Sequence, residues 1–148
     1  HDIIRHLRPG ALDNLGLSET LKDAVNHLQK QHPTIEFKLE LVGDLNKLGE
    51  NLNINFYRIV QESLNNAVKH SKASKIAVTL KQDKSGNVSL IIQDNGLGMD
   101  IHNVDQTQHF GLLGMRERTQ AFHGQFNIES SPKKGTTISI YIPKESIA

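Results

Sequence analysis

Four stretches of the chain carry apolar residues at every second position, and this period commits the fold to a sheet with one covered face. They are Ile35, Phe37, Leu39 and Leu41; Ile76, Val78 and Leu80; Val88, Leu90 and Ile92; and Ile138, Ile140 and Ile142. Successive side chains of a strand point to opposite faces, so each stretch buries one row and wets the other. Phe126 and Ile128 begin a fifth strand. The turn cluster Lys84-Ser85-Gly86-Asn87 joins two strands into a hairpin, and Lys133-Lys134-Gly135 joins the last two.

Between the strands the apolar period lengthens to that of a helix. Ser18 with Leu21, Ala24, Val25 and Leu28 behind it predicts a capped amphipathic helix ending near His32-Pro33. Ile54, Tyr57, Ile59, Val60, Leu64, Ala67 and Val68 predict a second, from about Asn53 to His70, and Leu112 to Phe122 a third that opens after Gly111. The polar run 101–110 reads as a mobile connection. Upstream, Ile3, Ile4 and Leu7 have helical spacing, which Pro9-Gly10 interrupts. Five strands and three helices predict an α+β two-layer sandwich, a mixed five-stranded sheet with the helices on one face. Residues 1–32 read as the exit of a preceding domain and a linking helix, and 33–148 as the main domain.

Composition narrows the chemistry. With 148 residues and no cysteine, the chain holds no disulfide framework, thiol nucleophile or Cys-rich zinc site. Its 17 basic and 16 acidic residues nearly cancel and aromatics are 5%, so no nucleic-acid groove is expected. No apolar run approaches the roughly 20 residues of a membrane span. His6, His27, His32, His70, His102, His109 and His123 are scattered, without the paired spacing of metal ligands.

Four segments carry candidate chemistry. In Gln61–His70, Glu62 and Asn66 lie four apart and share a helix face. An amide oxygen is a hard-cation ligand, and magnesium takes only one or two protein oxygens. Alone, this segment reads slightly better as a solvated helix face. Asp94-Asn-Gly-Leu-Gly98 sits at a strand end, where a carboxylate could accept the exocyclic amine of adenine; alone it is also an ordinary turn. Gly111-Leu-Leu-Gly-Met-Arg-Glu-Arg118 places glycines and arginines about a helix start, where free N–H groups bind phosphate. Alone, Arg116 and Arg118 are simply exposed. Lys133-Lys-Gly-Thr-Thr137 could be a plain hairpin. No Gly-x4-Gly-Lys-Ser/Thr motif is present, which disfavours a Walker-type NTPase.

In order and spacing these segments together resemble the GHKL ATPase superfamily, whose nucleotide site is the Bergerat fold. QESLNNAVKH resembles the N box, DNGLGM the G1 box, GLLGMRER the G2 box and GTT the G3 box. The wording is most similar to sensor histidine kinases of the NarX/UhpB/DesK branch, over roughly residues 50 to 143, and LRPGALDNLGL resembles the exit of that branch's dimerisation domain. The resemblance implies ATP and Mg2+ as cofactors. It implies that Asn66 supplies the magnesium-ligand oxygen, Glu62 the acidic N-box position, and Asn65 and Lys69 contacts near the phosphates. Asp94 would bind adenine N6, Gly96 and Gly98 would let the chain pass the nucleotide, the polar run before Phe110 would be the ATP lid, and Gly111 and Gly114, with Leu112 between them, would form its flexible phosphate-side hinge. Thr137 would reach the adenine region.

The resemblance further implies transfer of the ATP γ-phosphoryl to a histidine in a dimerisation domain, then relay to a response regulator. That histidine belongs to an E-L-H-D-type motif well upstream of the LRP segment; His1-Asp2 lies too close to be it. The chain is therefore expected to bind ATP without phosphorylating itself, to be monomeric and to make no membrane contact. Its setting would be cytoplasmic, in a parent anchored in the bacterial inner membrane. Two rivals are an anti-sigma-type ATP-binding regulator, which needs no linking helix, and a GHKL clamp ATPase, which needs a transducer domain after it.

Overall fold

The structure, a computed structural model, describes residues 9–101 and 104–147. Helix α1 spans Pro9–Gln31, β1 Glu36–Val42, α2 Glu50–Asn66, β2 Lys75–Gln82, β3 Val88–Asp94, α3 Gln106–Gln120, β4 Gln125–Ser130 and β5 Thr136–Ile142. The five strands form one sheet in the order β1-β2-β3-β5-β4, with β1 parallel to β2 and every other neighbour antiparallel. The mixed sheet and three helices agree with the expected two-layer sandwich.

Alternation selects the covered face. Ile76, Val78 and Leu80 of β2, Val88, Leu90 and Ile92 of β3, and Ile138, Ile140 and Ile142 of β5 are buried. Against them pack Leu52, Phe56, Ile59, Val60 and Leu64 of α2 and Met115 of α3. Leu17, Leu21, Val25 and Leu28 of α1 belong to the same cluster. The boundary expected at residues 32/33 therefore cuts through one core, because the linking helix covers the inner face of the domain behind it.

The cap expected at Ser18 and the start of α3 differ from expectation. Pro9 and Gly10 are helical in α1, and the helical stretch expected before them lies outside the described residues. The break lies at Gly16, whose φ of 78° and ψ of 168° are not helical. Nor does the Ser18 hydroxyl cap the turns beyond the break: the Ser18 N–H donates to Asn46 Oδ1 at 3.1 Å, so the cap comes from outside the helix. Helix α3 begins at Gln106, where the Asp105 carboxylate accepts the Gln108 N–H at 2.8 Å. Much of the expected mobile connection is thus helix, and Gly111 and Gly114 lie inside α3. Residues Ile3, Ile4 and Leu7, with His1-Asp2 and His102, lie outside the described residues.

Candidate functional site

The last turn of α2 changes character. Through Asn66 it is an α-helix; Ala67–Ser71 is a π turn, closed by Lys72 in the left-handed region at φ 52°. Such turns concentrate where a side chain or carbonyl must be re-aimed. The Ser71 hydroxyl donates back to the Ala67 carbonyl at 2.5 Å. The Ser71 carbonyl is turned out of the helix and accepts the Leu97 N–H at 2.6 Å. This bond ties the helix end to the Asp94–Gly98 loop.

The loop is held on every side. A Cβ on Gly96 would overlap the Ser71 carbonyl, and one on Gly98, at φ 68°, would overlap that of Ser131. A Cβ on Gly135 would overlap the carbonyl of Asp94. These glycines are needed because backbone passes backbone, whatever else the space accommodates. Asn95 Oδ1 accepts the N–H groups of Ser74 and Lys75, each at 2.9 Å, and its amide donates to the Ser74 hydroxyl. The Lys133 N–H donates to the Leu97 carbonyl, and Met99 N–H to Ser130 Oγ at 2.9 Å. The β4–β5 turn therefore clamps the loop from the far side.

Asp94 sits half-buried at the end of β3, on the helix-facing side, opposite Ile76 on one neighbour and Thr136 on the other. Burial pushes its carboxyl above the usual aspartate value; the N–H groups of Gly96, at 2.9 Å, and Thr136 oppose that rise by favouring the charged form. It is thus an oriented acceptor, partly shielded from water.

Thr137 does not join it. Asp94 is paired with Thr136, so strand alternation puts Thr136 on the Asp94 face and Thr137, paired with Gln93, on the open face. Thr136 is buried, and its hydroxyl lies 2.8 Å from that of Ser130. The alternation with Ile138 already contained this assignment.

Glu62, Asn65 and Asn66 are half-buried along the end of α2, and Lys69 is exposed on the π turn. Asn66 makes no side-chain capping bond to that turn. Glu62 lies against α3: a Cβ on Gly111 would fall 2.8 Å from Glu62 Oε2. Gly111 thus lets the two helices approach, and its N–H lies within α3, not at the helix start that the sequence suggested for phosphate. Gly114 faces open space and Leu112 is half-buried against the core. Ser63 Oγ donates to Met115 Sδ at 3.1 Å, a second α2–α3 tie that the sequence did not flag. The arginines are used elsewhere. The Arg116 guanidinium stacks 5.0 Å from the centre of the Phe126 ring, and Arg118 Nη1 donates to Asn55 Oδ1 at 3.1 Å.

The structure thus brings Asp94, Gly96, Gly98 and Thr136 to one loop, joins that loop through Ser71 to the turn after Asn66, and sets Gly111 over Glu62. Among the described residues no group of three or more His, Asp or Glu could hold a metal alone. Asn66 is half-buried and its amide makes no capping bond, so its oxygen suits a hard cation such as magnesium, which would need few protein ligands.

Comparison with known proteins identifies the family and the fold. Residues 51–146 match the family described as histidine kinase-, DNA gyrase B- and HSP90-like ATPase. The signal transduction histidine-protein kinase/phosphatase DegS of Brevibacillus brevis is 40% identical over 141 residues, covering 95% of this chain and 36% of that protein. The sensor protein VraS of Staphylococcus aureus (strain COL) is 36% identical, covering 95% of this chain and 39% of that one. The chain thus spans little more than a third of these relatives. Among solved structures, the histidine kinase domain of the blue-light activated histidine kinase from Erythrobacter litoralis superposes with a TM-score of 0.68 at 17% identity, covering 87% of this chain and 61% of that one. The mycobacterial sensor histidine kinase MprB gives 0.64 at 20%, covering 86% and 93%. At such identities these two speak for the fold alone.

Proposed function

This chain belongs to the histidine kinase-, DNA gyrase B- and HSP90-like ATPase family and is an ATP-binding module of it, and from that premise we propose that it is the catalytic part of a two-component histidine kinase. The observation that carries the reading is Asp94: a shielded carboxylate, oriented by two backbone N–H groups, in a loop fastened to the end of α2. Such an acceptor selects the adenine amine, because guanine offers a carbonyl at the corresponding position. Asn66 presents its amide oxygen to magnesium, which when bound offsets charge on the phosphates. Glu62 borders the phosphate side beside Gly111, and Asn65, Lys69, Leu112 and Gly114 lie around the same end.

The γ-phosphoryl would then pass in line to a histidine nitrogen, breaking its bond to the bridging oxygen and leaving ADP. The acceptor histidine belongs to a dimerisation domain of the parent protein, and a response regulator takes the phosphoryl from it. Among the described residues no helix is long and apolar enough to cross a membrane. We place the module in the cytoplasm, where ATP and a response regulator meet, beneath a membrane-anchored parent.

Titration calorimetry tests the site. Asp94→Asn should weaken MgATP binding by about 1.5–3 kcal/mol, the worth of a hydrogen bond to a charged acceptor. Asn66→Ala should abolish the magnesium-dependent part of the affinity. Wild-type affinity in both variants would refute the assignment. Labelled ATP should leave the isolated chain unlabelled and label a histidine once the upstream domain is supplied; stable histidine label on the isolated chain would contradict the proposed division of labour.

A further inference from the structure

Strand β1 forms one edge of the sheet, with β2 on one side only. The Glu36 N–H donates towards that side, to the Ser74 carbonyl at 2.8 Å. Alternation therefore turns the main-chain groups of Ile35, Phe37, Leu39 and Leu41 outward. Gln29 of α1 reports the same direction: its Oε1 accepts the Phe37 N–H at 3.1 Å and its Nε2 donates to the Ile35 carbonyl at 2.7 Å. One side-chain amide thus fills the slot of a peptide unit from a neighbouring strand. Beyond it the outward groups of Leu39 and Leu41 have no partner among the described residues. Beside them runs a groove of about 610 Å³ between α1 and β1, with Val25, Phe37, Leu39 and Leu41 as its apolar lining and Lys22 and Asn26 on its rim.

We propose that two copies of the chain associate through this edge, β1 against β1, antiparallel about a twofold axis at Leu39. Charge complementarity selects a second copy as the occupant, and charge with strand length sets the register. The open face of β1 carries Glu36, Lys38 and Glu40. With Leu39 opposite Leu39, each Lys38 faces Glu40 of the second copy, giving two cross-strand ion pairs. Moving the axis to Lys38 sets lysine against lysine and Glu36 against Glu40; moving it to Glu40 sets glutamate against glutamate. Like charges directly opposite are destabilising; an axis at Phe37 would also set Glu36 against Lys38, but it carries Leu41 past the end of the facing strand to Pro33, so the Leu39 axis is the complementary register that engages the whole of β1. On the inner face that register sets Phe37 against Leu41 of the second copy, which covers the groove. The contacts that Lys38 and Glu40 make within one chain, with Glu36 and Lys81 at 3.6 Å each, are exposed and give way at small cost. Gln29 must swing out to admit the second strand, so association competes with an internal plug and is weak. The monomer expected from the sequence did not weigh this edge.

Sedimentation equilibrium of the 148-residue chain tests the proposal. Association should rise with concentration and tighten in Gln29→Ala. Lys38→Glu and Glu40→Lys should each weaken it roughly tenfold, and the double variant should restore it. Leu39→Cys, in a chain otherwise free of cysteine, should oxidise to a linked dimer, since facing hydrogen-bonded positions lie within disulfide reach. A monomer at every concentration in both wild type and Gln29→Ala would overturn the proposal. So would dimers indifferent to both single charge reversals, which must come from another surface. A chain that stays monomeric, while an unrelated extended peptide shifts the amide resonances of Leu39 and Leu41, would reassign the edge to another partner.

Discussion

Asp94 is held where its charge is less comfortable than in water. Its raised pKa means that the folded chain binds this proton more tightly than the unfolded chain does. The group therefore favours the fold most below the ordinary aspartate value, and that contribution is lost as pH rises through the raised one. At neutral pH the ionised side chain mildly opposes folding, with the effect damped by its partial exposure. Asp94→Asn should consequently leave the melting temperature unchanged or slightly higher at neutral pH while ATP affinity falls. Adenine needs the ionised acceptor, so wild-type affinity should begin to decline on acidification above the usual aspartate range, and calorimetry across pH should find that limb absent in the variant. Strand register puts Thr136 on the Asp94 face and Thr137 on the other. Thr136→Val should weaken ATP by about 0.5–1.5 kcal/mol, and Thr137→Val, on the open face, should not; the reverse order in a titration would mean that the register is wrong. Asp94 was legible in the sequence because an acid before Asn-Gly-x-Gly at a strand end is a local pattern. Thr136 was legible too, through its parity with Ile138, but GTT as a motif does not say which hydroxyl faces inward.

At the scale of elements, the strands were readable because a period of two survives any packing arrangement, and each expected strand lies within a residue or two of its place. Helix starts were harder. Gly111 drew attention as a helix opening, yet the real start carries Asp105 with Gln108 three residues on, an N-cap signal present in the sequence all along. Gly16 and the Ser71–Gly96 crossing were not readable, because what makes glycine necessary is a partner far away in the chain. Their consequences differ. A methyl on Gly96 meets backbone, which cannot yield, so Gly96→Ala should cost about 1–3 kcal/mol in thermal unfolding. A methyl on Gly16 would meet the Asn46 side chain, at 2.6–2.8 Å, and that chain can be removed. Asn46→Ala alone should cost about 1 kcal/mol, as the loss of a helix cap. With Asn46 already truncated, Gly16→Ala should retain only its penalty for positive φ. The double variant should therefore be less destabilised than the sum of the singles, and strict additivity would show that Asn46 does not press on Gly16.

Across the whole molecule the question is where the cooperative unit begins. The sequence places a boundary near Pro33, since a proline after an amphipathic helix reads as punctuation. The core ignores it: Leu17 and Leu21 are fully buried and Leu28 nearly so, in the cluster that also holds Phe56 and Ile140. Gln29 and Asn46 then tie α1 to β1 and to the segment before α2. If α1 from Leu17 onward folds with the sheet, Leu21→Ala should cost about 2–5 kcal/mol, as for any buried leucine. It should shift the one unfolding transition reported by both circular dichroism and ATP-dependent stabilisation. If α1 were a separate linker, the same change would leave the transition of the ATP-binding module in place. The location of the truncation point separates the two cases a second way. A chain beginning at Gly16 keeps every residue of the shared core among the described residues and should retain the transition. One beginning at Pro33 uncovers Phe37, Leu39 and Leu41 together, a contiguous apolar face of the kind that drives aggregation, and should not yield a stable monomer. Since folded domains are stable by only about 5–15 kcal/mol, a single leucine of this helix commands a large share of the margin that holds the ATP site in shape. The stretch of α1 from Leu17 onward therefore shares one core with the module, and a movement imposed on α1 upstream of Gly16 reaches it at the joint between Gly16 and Asn46, in the turn before α2.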